Sequence, residues 1–268
     1  MDTMSCYLCP DVLMGDDPEP VSILNPESTR GVLLIADHAG NAVPAAMAGL
    51  GLENDDLARH IAWDPGAARV ATELSRRWTA AAVLSRYSRL IVDPNRPLGD
   101  ASSMPMVSDH TVVPANQAIT DEERQRRAAL FYWPYHRAIS EQIARLRRIG
   151  AGPLLVSLHS FTPDFNGEDR PWHIGIMSAT DRRLGNGLIA RLRETTDLLI
   201  GDNEPYSGVE YGYTLKVQAG SQGLANVQIE IRQDLLIGDA AVLDWVDVLD
   251  QVLSPLLDDQ SILEIEFH

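Results

Sequence analysis

Several stretches of the chain are apolar at every position, and this feature constrains the fold most strongly. The clearest are VLLI at residues 32–35 and the strand-like run PLLVSL at residues 153–158, in which one serine is the exception. A strand with so few polar positions has to be covered on both faces, as in a sheet that lies between two layers of helices. Strand patterns also alternate with helical patterns along the chain. We therefore predict an α/β fold with a mixed, mostly parallel central sheet.

The remaining patterns predict the other elements of this fold. Apolar residues recur at helical spacing after Asp64, and Thr120 with Glu123 forms a capping box that opens a long helix. Pro134 should kink or divide that helix. Further strands are predicted at AAVLS (81–85), RLIVD (89–93), HIGIMSA (173–179) and NVQIEIR (226–232), and a last helix near 239–256. Residues 97–119 are rich in Pro, Ser and Gly, and loops of this length are commonly lids or binding loops.

Length and charge limit the organisation and the partners. The 268 residues suit a single α/β domain, which we expect at residues 21–268 behind a loosely ordered N-terminal arm at residues 1–20. The formal charge of −16 repels nucleic acid and anionic membranes, so neither is expected as a partner. The absence of a signal-peptide pattern and of long apolar runs predicts a cytoplasmic protein. Cys6 and Cys9 form a CxxC pair without a second pair, which is weak evidence for a zinc or redox site.

Two histidines that follow apolar strands suggest a metal site. His38 and His159 each end such a strand, and neighbouring parallel strands place their carboxyl ends at one edge of the sheet. Catalytic zinc takes three ligands of the His, Asp or Glu type and keeps one position open. Asp64 is the third ligand that we favour, while Asn41 and His60 are weaker candidates. The alternatives are that Asp64 only caps the following helix and that the histidines are ordinary core residues.

Glu230 lies between two isoleucines in a strand that is otherwise suited to burial. A buried carboxylate costs several kcal/mol unless it is paired or functional. Arg232 points to the same side of the strand and would neutralise Glu230 in a purely structural role. The functional interpretation is that Glu230 is a general base beside a metal ion.

A third group of polar residues follows the apolar run RLIV. This group contains Asn95 and Arg96, and the guanidinium fork of an arginine suits a carboxylate, beside which an asparagine adds donors. The chain carries a net charge of −16 and therefore repels anions, so such an arginine would provide the local positive charge that binds an anionic substrate. The alternative is an ordinary surface turn.

These motifs together resemble the N-formylglutamate amidohydrolase family. The blocks DHAGNAVP, HIAWDPGA, SRLIVDPNRP, SLHSF and VQIEIRQDL occur in this order between about residues 25 and 240. More distantly, the order of His, Asn-Arg, His and Glu-x-Arg resembles the zinc carboxypeptidases and the succinylglutamate desuccinylase and aspartoacylase group. The resemblance implies a three-layer sandwich of the zinc exopeptidase, phosphorylase/hydrolase-like type, with a mixed sheet of about eight strands and one zinc ion per chain.

The resemblance also implies roles for individual residues. His38 and His159 would bind zinc, Asn95 and Arg96 would bind a substrate carboxylate, and Glu230 would be the catalytic base. The carboxypeptidase group has a glutamate three residues after its first histidine, where this chain has an asparagine. Because an amide is a poor zinc ligand, Asp64 remains the favoured third ligand. The further substrate contacts that we expect are Arg232, Ser160 and Tyr213, the last of which could close over the substrate together with Tyr211.

From these observations we expect a zinc-dependent amidohydrolase that acts on a small anionic N-acyl amino acid. N-formyl-L-glutamate is the first candidate substrate, and the family implies a setting in histidine or glutamate catabolism. One alternative is a non-enzymatic ligand-binding or regulatory protein on the same fold. Another is a hydrolase of a different amide or a small peptide. The oligomeric state is left open.

Overall fold

The computed structural model describes residues 12–150 and 152–268. Within them, the strands are β1 (Val21–Leu24), β2 (Val32–Ala36), β3 (Ala81–Ser85), β4 (Val107–Ser108), β5 (Thr111–Val112), β6 (Leu154–Phe161), β7 (Asp164–Phe165), β8 (Glu168–Asp169), β9 (Ile174–Met177), β10 (Ile200–Asp202) and β11 (Asn226–Arg232). The helices are α1 (Asn54–Ala58), α2 (Ala67–Trp78), α3 (Asp121–Arg127), α4 (Trp133–Ile149), α5 (Arg183–Thr195), α6 (Tyr213–Gln218) and α7 (Asp239–Leu257). Strands and helices alternate through most of the chain, as the apolar patterns predict.

Seven strands form one mixed sheet in the order β1-β3-β2-β6-β11-β9-β10. The central strands β3, β2, β6 and β11 are parallel, whereas β1 and β9 are antiparallel to β3 and β11. The predicted α/β fold with a mixed, mostly parallel sheet is confirmed, with seven strands where about eight were expected. The short strands β4 with β5, and β7 with β8, pair outside this sheet as two hairpins.

Helices cover both faces of the sheet and complete the three layers. Successive side chains of a strand point to opposite faces, so an apolar run contributes to two cores. In β2, Leu34 belongs to the core beneath α2, α5 and α7, whereas Leu33 and Ile35 belong to the core beneath α4 and α6. Both cores are closed to solvent, which explains why β2 has no polar position.

The long helix predicted after residue 120 is divided, as Pro134 indicates. The Thr120 hydroxyl oxygen accepts the backbone N–H of Glu123 at 3.2 Å, which confirms the predicted start. Helix α3 ends at Arg127, and a π-helical turn at 128–132 leads into α4. Pro134 lies in the first turn of α4, where the missing N–H of a proline breaks no helical hydrogen bond.

The strand predicted for RLIVD is wrong: residues 89–93 form buried turns. Leu90 and Ile91 are fully buried in a third apolar cluster at the carboxyl edge of the sheet. Side chains replace the strand partner, because Asn116 donates to the carbonyl of Leu90 at 2.9 Å and Arg127 donates to that of Ile91 at 3.1 Å. The segment thus reaches the edge of the sheet without belonging to the sheet.

Part of the predicted N-terminal arm is described and contacts the domain. Val12 is buried in the third cluster, and the Tyr87 hydroxyl donates to the carbonyl of Pro18 at 2.7 Å. The CxxC pair lies in residues 1–11, outside the described residues. No helix in the described part of the chain has the length and apolar composition needed to cross a bilayer. The assignment of residues 21–268 to a single domain stays a prediction.

Candidate active site

The predicted site residues meet at the carboxyl edge of the parallel strands. His38 lies two residues beyond the end of β2, and His159 lies within β6, which continues to Phe161. Glu230 of β11 is the register partner of His159. The parallel order of β2, β6 and β11 therefore places the three side chains at one edge, as the two strand-end histidines suggest.

Asp64 completes a compact group with the two histidines. Its Oδ2 atom lies 2.7 Å from Nδ1 of His159 and 3.3 Å from Nδ1 of His38. One ligand atom from each of the three buried residues lies within 4.8 Å of the others. The helix-cap explanation of Asp64 is wrong, because Gly66 is the N-cap residue of α2 and no side chain caps that end. His38, Asp64 and His159 could therefore hold a metal ion.

Two further aspartates orient the imidazole rings from behind. Asp93 lies 2.8 Å from Nε2 of His38, and Asp37 lies 2.9 Å from Nε2 of His159. A carboxylate only accepts hydrogen bonds, so each Nε2 donates its proton to an aspartate. Each Nδ1 faces Asp64, to which it donates when the ring is protonated and beside which it can bind a cation when the ring is neutral. Metal-binding histidines are commonly held in this way by a carboxylate on the far ring nitrogen. Asp37 and Asp93 occur in two blocks that carry the family resemblance, but their orienting roles are not evident from the sequence.

The electrostatic balance of the group requires additional positive charge. Asp37, Asp64 and Asp93 are all buried. Among the described residues, Arg89 is the arginine that forms ion pairs within this group, with Asp64 and with Asp93. Although burial disfavours a charged imidazole, hydrogen bonds to Asp37 and Asp64 hold the pKa of His159 well above its usual value. Either extra protons or a cation must therefore lie among these groups. Two imidazole nitrogens and a carboxylate oxygen form a donor set that suits zinc.

The two weaker ligand candidates lie outside this group. Asn41 donates its side-chain N–H to the carbonyl of Leu57 at 2.9 Å. His60 approaches the other oxygen of Asp64, with Nδ1 at 3.4 Å from Oδ1. Burial lowers the pKa of His60 to about 4, so this imidazole is neutral at physiological pH. His60 therefore lines the site beside Asp64 without joining the three-residue group.

Glu230 is buried, and no arginine of the described residues forms an ion pair with it. Gln228 donates to its Oε1 atom at 2.8 Å, while Oε2 has no donor among the described residues. Burial raises the pKa of Glu230 to about 7. The alternative in which Arg232 neutralises Glu230 is wrong, because Arg232 pairs with Asp234 at 2.8 Å. A carboxyl with a free oxygen and a pKa near neutrality is suited to proton transfer.

The turn that contains Asn95 and Arg96 is fixed by three other elements. Asn95 Oδ1 accepts the backbone N–H of Thr214 at 2.9 Å, which leaves the amide N–H₂ of Asn95 as a donor. The carbonyl of Pro94 accepts from His136 at 2.9 Å, and that of Arg96 accepts from the Tyr132 hydroxyl at 3.1 Å. The turn is therefore held rigidly at the edge of the cleft.

A cleft of about 860 Å³ opens above this group. His38, Asp64, His159, Glu230, Asn95 and Arg96 all line it. Two other lining arginines are paired, Arg59 with Asp109 at 2.8 Å and Arg89 with Asp93 at 2.9 Å. Arg96 has no carboxylate partner among the described residues, and it stacks on the ring of Tyr211 at 5.1 Å. Arg96 is thus positioned to attract an anion into the cleft.

The other three predicted substrate contacts lie in different places. Ser160 lines the cleft but donates its hydroxyl to the carbonyl of Pro65 at 2.9 Å. Arg232 donates to the carbonyls of residues 170 and 171 and does not line the cleft. Tyr213 packs beside His136 in a separate groove. Tyr211 is the tyrosine of this loop that faces the cleft, because α6 begins at Tyr213 and turns that ring away.

Comparisons with known proteins agree with this geometry. The sequence profile of the N-formylglutamate amidohydrolases matches residues 30–237. The chain belongs to the N-formylglutamate amidohydrolase family. The predicted family is therefore confirmed, and the chain is a hydrolase that acts on amides. This finding argues against the non-enzymatic alternative.

Solved structures show how widely this fold is shared. The crystal structure of a gene product of Agrobacterium tumefaciens is 36% identical in sequence and superposes with a TM-score of 0.88 over 94% of this chain and 100% of that chain. The N-formylglutamate amidohydrolase of Ralstonia eutropha is 17% identical and superposes with a TM-score of 0.57 over 90% of this chain and 98% of that chain. At that identity the second comparison shows a common fold. No curated protein sequence is significantly similar to the chain.

Proposed function

We propose that this member of the family is a zinc-dependent amidohydrolase of small anionic N-acyl amino acids. N-formyl-L-glutamate, which would give formate and L-glutamate, is the first substrate to test. The observation that carries the proposal is the buried group of His38, Asp64 and His159 with Glu230 beside it. The family supplies the reaction class, and the residues of the site supply the assignment of roles.

His38, Asp64 and His159 would hold the metal ion. Bound zinc supplies Lewis acidity, which polarises an acyl carbonyl and makes water more acidic. Asp37 and Asp93 keep the two imidazole rings in the tautomer that leaves Nδ1 free to bind a cation.

Glu230 would move the proton in this reaction. Gln228 holds Oε1, and the free Oε2 takes a proton from the water that attacks the acyl carbon. A new C–O bond forms, the C–N bond breaks, and the same proton passes to the leaving nitrogen. The products are a carboxylic acid and an amino acid. A base with a pKa near 7 both accepts and returns a proton efficiently at neutral pH.

Arg96 and Asn95 would bind the carboxylate of the substrate. Arg96 lacks a carboxylate partner among the described residues, and Asn95 has a free amide donor. Because the chain carries a charge of −16, recognition of an anion depends on such a local donor pair. Binding at this rigid turn positions the amide of the substrate beside Glu230.

The substitution Glu230→Gln tests the proposed reaction. Glutamine has nearly the same shape but does not accept a proton at neutral pH, so kcat should fall by about 10²–10⁴. Zinc content, substrate affinity and melting temperature should stay close to those of the parent. A surface change of the same kind, Glu194→Gln in α5, is the matched control and should leave all four quantities unchanged. Near-parent kcat in folded, zinc-loaded Glu230→Gln would refute the proposed role.

A further inference from the structure

The cleft extends well beyond the group of residues proposed to carry the chemistry. Its volume of about 860 Å³ lies in the range of roughly 300–1,000 Å³ that is typical for drug-sized ligands. The acyl group of N-formyl-L-glutamate contains a single carbon atom. The outer part of the cleft is therefore unused by this candidate substrate.

Two hairpins enclose the outer part of the cleft. Pro105 and Val107 line it from the side of hairpin β4–β5, and Phe165 lines it from hairpin β7–β8. The tips of the hairpins meet, since Nε2 of His110 lies 3.2 Å from Oδ1 of Asn166. Val107 and Phe165 remain 54% and 45% exposed despite their apolar character. Exposed apolar side chains that line a cleft are typical of a ligand site.

A stack of rings and guanidinium groups connects this outer part to Arg96. The ring of Tyr211, which lies under Arg96, is 5.6 Å from that of Tyr206. Arg170 lies 4.9 Å from the Tyr206 ring and 4.7 Å from the Phe165 ring, so it holds both rings in place. The planes of the two tyrosine rings are inclined by 62°, and Tyr211, Tyr206 and Phe165 together give the cleft an aromatic wall that runs from Arg96 toward the outer hairpin.

The charged groups along the cleft distinguish an anion-binding end at Arg96 from an outer end whose arginines are already occupied. In the outer part, Arg59 is paired with both Asp56 and Asp109. Arg170 has no ion pair among the described residues, but it is covered by the rings of Phe165 and Tyr206 and donates to the hydroxyls of Thr162 and Tyr206. Asp164 also lines this part and disfavours a second anion there. Arg96 therefore attracts the carboxylate of the substrate, and the hairpin end favours an uncharged group.

We infer that the outer cleft between Val107 and Phe165 is an acyl-binding site for a neutral, planar group larger than formyl, such as an aroyl group. The inference rests on the proposed amide hydrolysis and names its substrate class. With the carboxylate on Arg96 and the amide beside Glu230, the acyl group extends toward Phe165 and packs against that ring. Water adds to the acyl carbon, the C–N bond breaks, and an aromatic carboxylic acid and an amino acid leave, with the proton on the amine.

The test compares two substrates that differ only in the acyl group. N-benzoyl-L-glutamate and N-formyl-L-glutamate present the same carboxylates to Arg96. The zinc-loaded protein should show a kcat/KM for the benzoyl substrate that is at least about tenfold higher. Phe165→Ala should lower kcat/KM for the benzoyl substrate by about tenfold and that for the formyl substrate by less than about twofold, because the lost contact is a ring stack. The control Ile237→Ala removes an exposed apolar side chain outside the cleft and should change neither value.

Binding gives a second measurement that does not depend on turnover. Dissociation constants of both ligands for Glu230→Gln should show the same benzoyl preference, and Phe165→Ala in that background should abolish it. The acyl-site assignment would be overturned if kcat/KM for the formyl substrate equalled or exceeded that for the benzoyl substrate. It would also be overturned if Phe165→Ala lowered kcat/KM equally for both substrates. Either result would leave the proposed amide hydrolysis intact. If neither amide is cleaved but benzoyl binding depends on Phe165, the proposed function fails and the binding site stands.

Discussion

At the scale of single residues, the site consists of buried acids whose partners determine their roles. Asp64 faces two Nδ1 atoms, Asp37 and Asp93 face the two Nε2 atoms, and Glu230 keeps one oxygen without a donor. Four carboxyl groups of similar chemistry thus divide into one candidate ligand, two orienting groups and one candidate base. The division follows from which atom each carboxylate meets.

The orienting role of Asp37 leads to a prediction about metal affinity. Asp37→Asn keeps the shape of the side chain but removes the charge behind His159. We expect the zinc dissociation constant to rise by about 10- to 100-fold, the usual cost of losing such a partner. Competition titration with a chelating dye measures this constant. Asp247→Asn, an exposed carboxylate on α7, is the control, and equal zinc affinity in both variants would show that Asp37 does not act through the metal site.

The role proposed for Arg96 predicts a loss of substrate recognition. Removing a buried, charge-assisted contact should cost about 2–4 kcal/mol, so kcat/KM of Arg96→Ala should fall by roughly 30- to 1,000-fold. Arg59→Ala is a matched control, because Arg59 also lines the cleft but is paired with aspartates. Steady-state kinetics with N-formyl-L-glutamate distinguish the two. A similar effect of both substitutions would remove the reason for assigning the carboxylate to Arg96.

Local patterns predicted the central residues of this site but not their partners. His38, His159 and Glu230 could be named because each is a polar residue after or within an apolar strand, and Asp64 because it precedes a predicted helix in the block HIAWDPGA. Arg89 and Gln228 do not stand out in this way. Their roles depend on contacts across the fold, which one sequence does not reveal. Tyr213 was chosen over Tyr211 for the same reason, since the start of α6 decides which ring faces the cleft.

At the scale of elements, residues 89–93 show why an apolar run is ambiguous. The run LIV at residues 90–92 is as apolar as β2, yet it belongs to a turn segment whose carbonyls are bound by the side chains of Asn116 and Arg127. A buried strand and a buried turn segment both require apolar side chains. They differ only in whether a neighbouring strand or side chains satisfy the hydrogen bonds of the backbone. The polar partners lie more than twenty residues further along the chain, where no local pattern identifies them.

The hydrogen bonds that Asn116 makes to this turn segment predict a loss of stability when its side chain is removed. Asn116→Ala removes the donor to the buried carbonyl of Leu90 and the acceptor of the buried Arg127 guanidinium, and each unsatisfied group costs about 1–3 kcal/mol. The free energy of unfolding should therefore fall by at least about 2 kcal/mol in urea denaturation. Gln117→Ala is the matched control: Gln117 binds two carbonyls in the same way, but it is exposed, so water replaces it at a cost of about 1 kcal/mol or less. Equal losses would show that the segment does not depend on Asn116.

At the scale of the whole molecule, the fold assembles the site from distant parts of the chain. His38, Asp64, His159 and Glu230 come from four segments, and the parallel central strands bring them to one edge. The alternation of strands and helices, and the covering of the sheet by helices on both faces, could be predicted from the sequence. The strand order and the two hairpins over the cleft could not, because they depend on pairings between distant segments.

The central claim is that the buried group of two histidines and one aspartate holds one divalent metal ion. The direct measurement is the metal content of protein purified without chelator, combined with zinc titration of the chelator-treated protein and its melting temperature. We expect one zinc per chain, a lower melting temperature after chelation because buried negative charges are left uncompensated, and loss of zinc in His159→Ala. Protein that hydrolyses its substrate without metal, or His159→Ala with full zinc content, would contradict the claim.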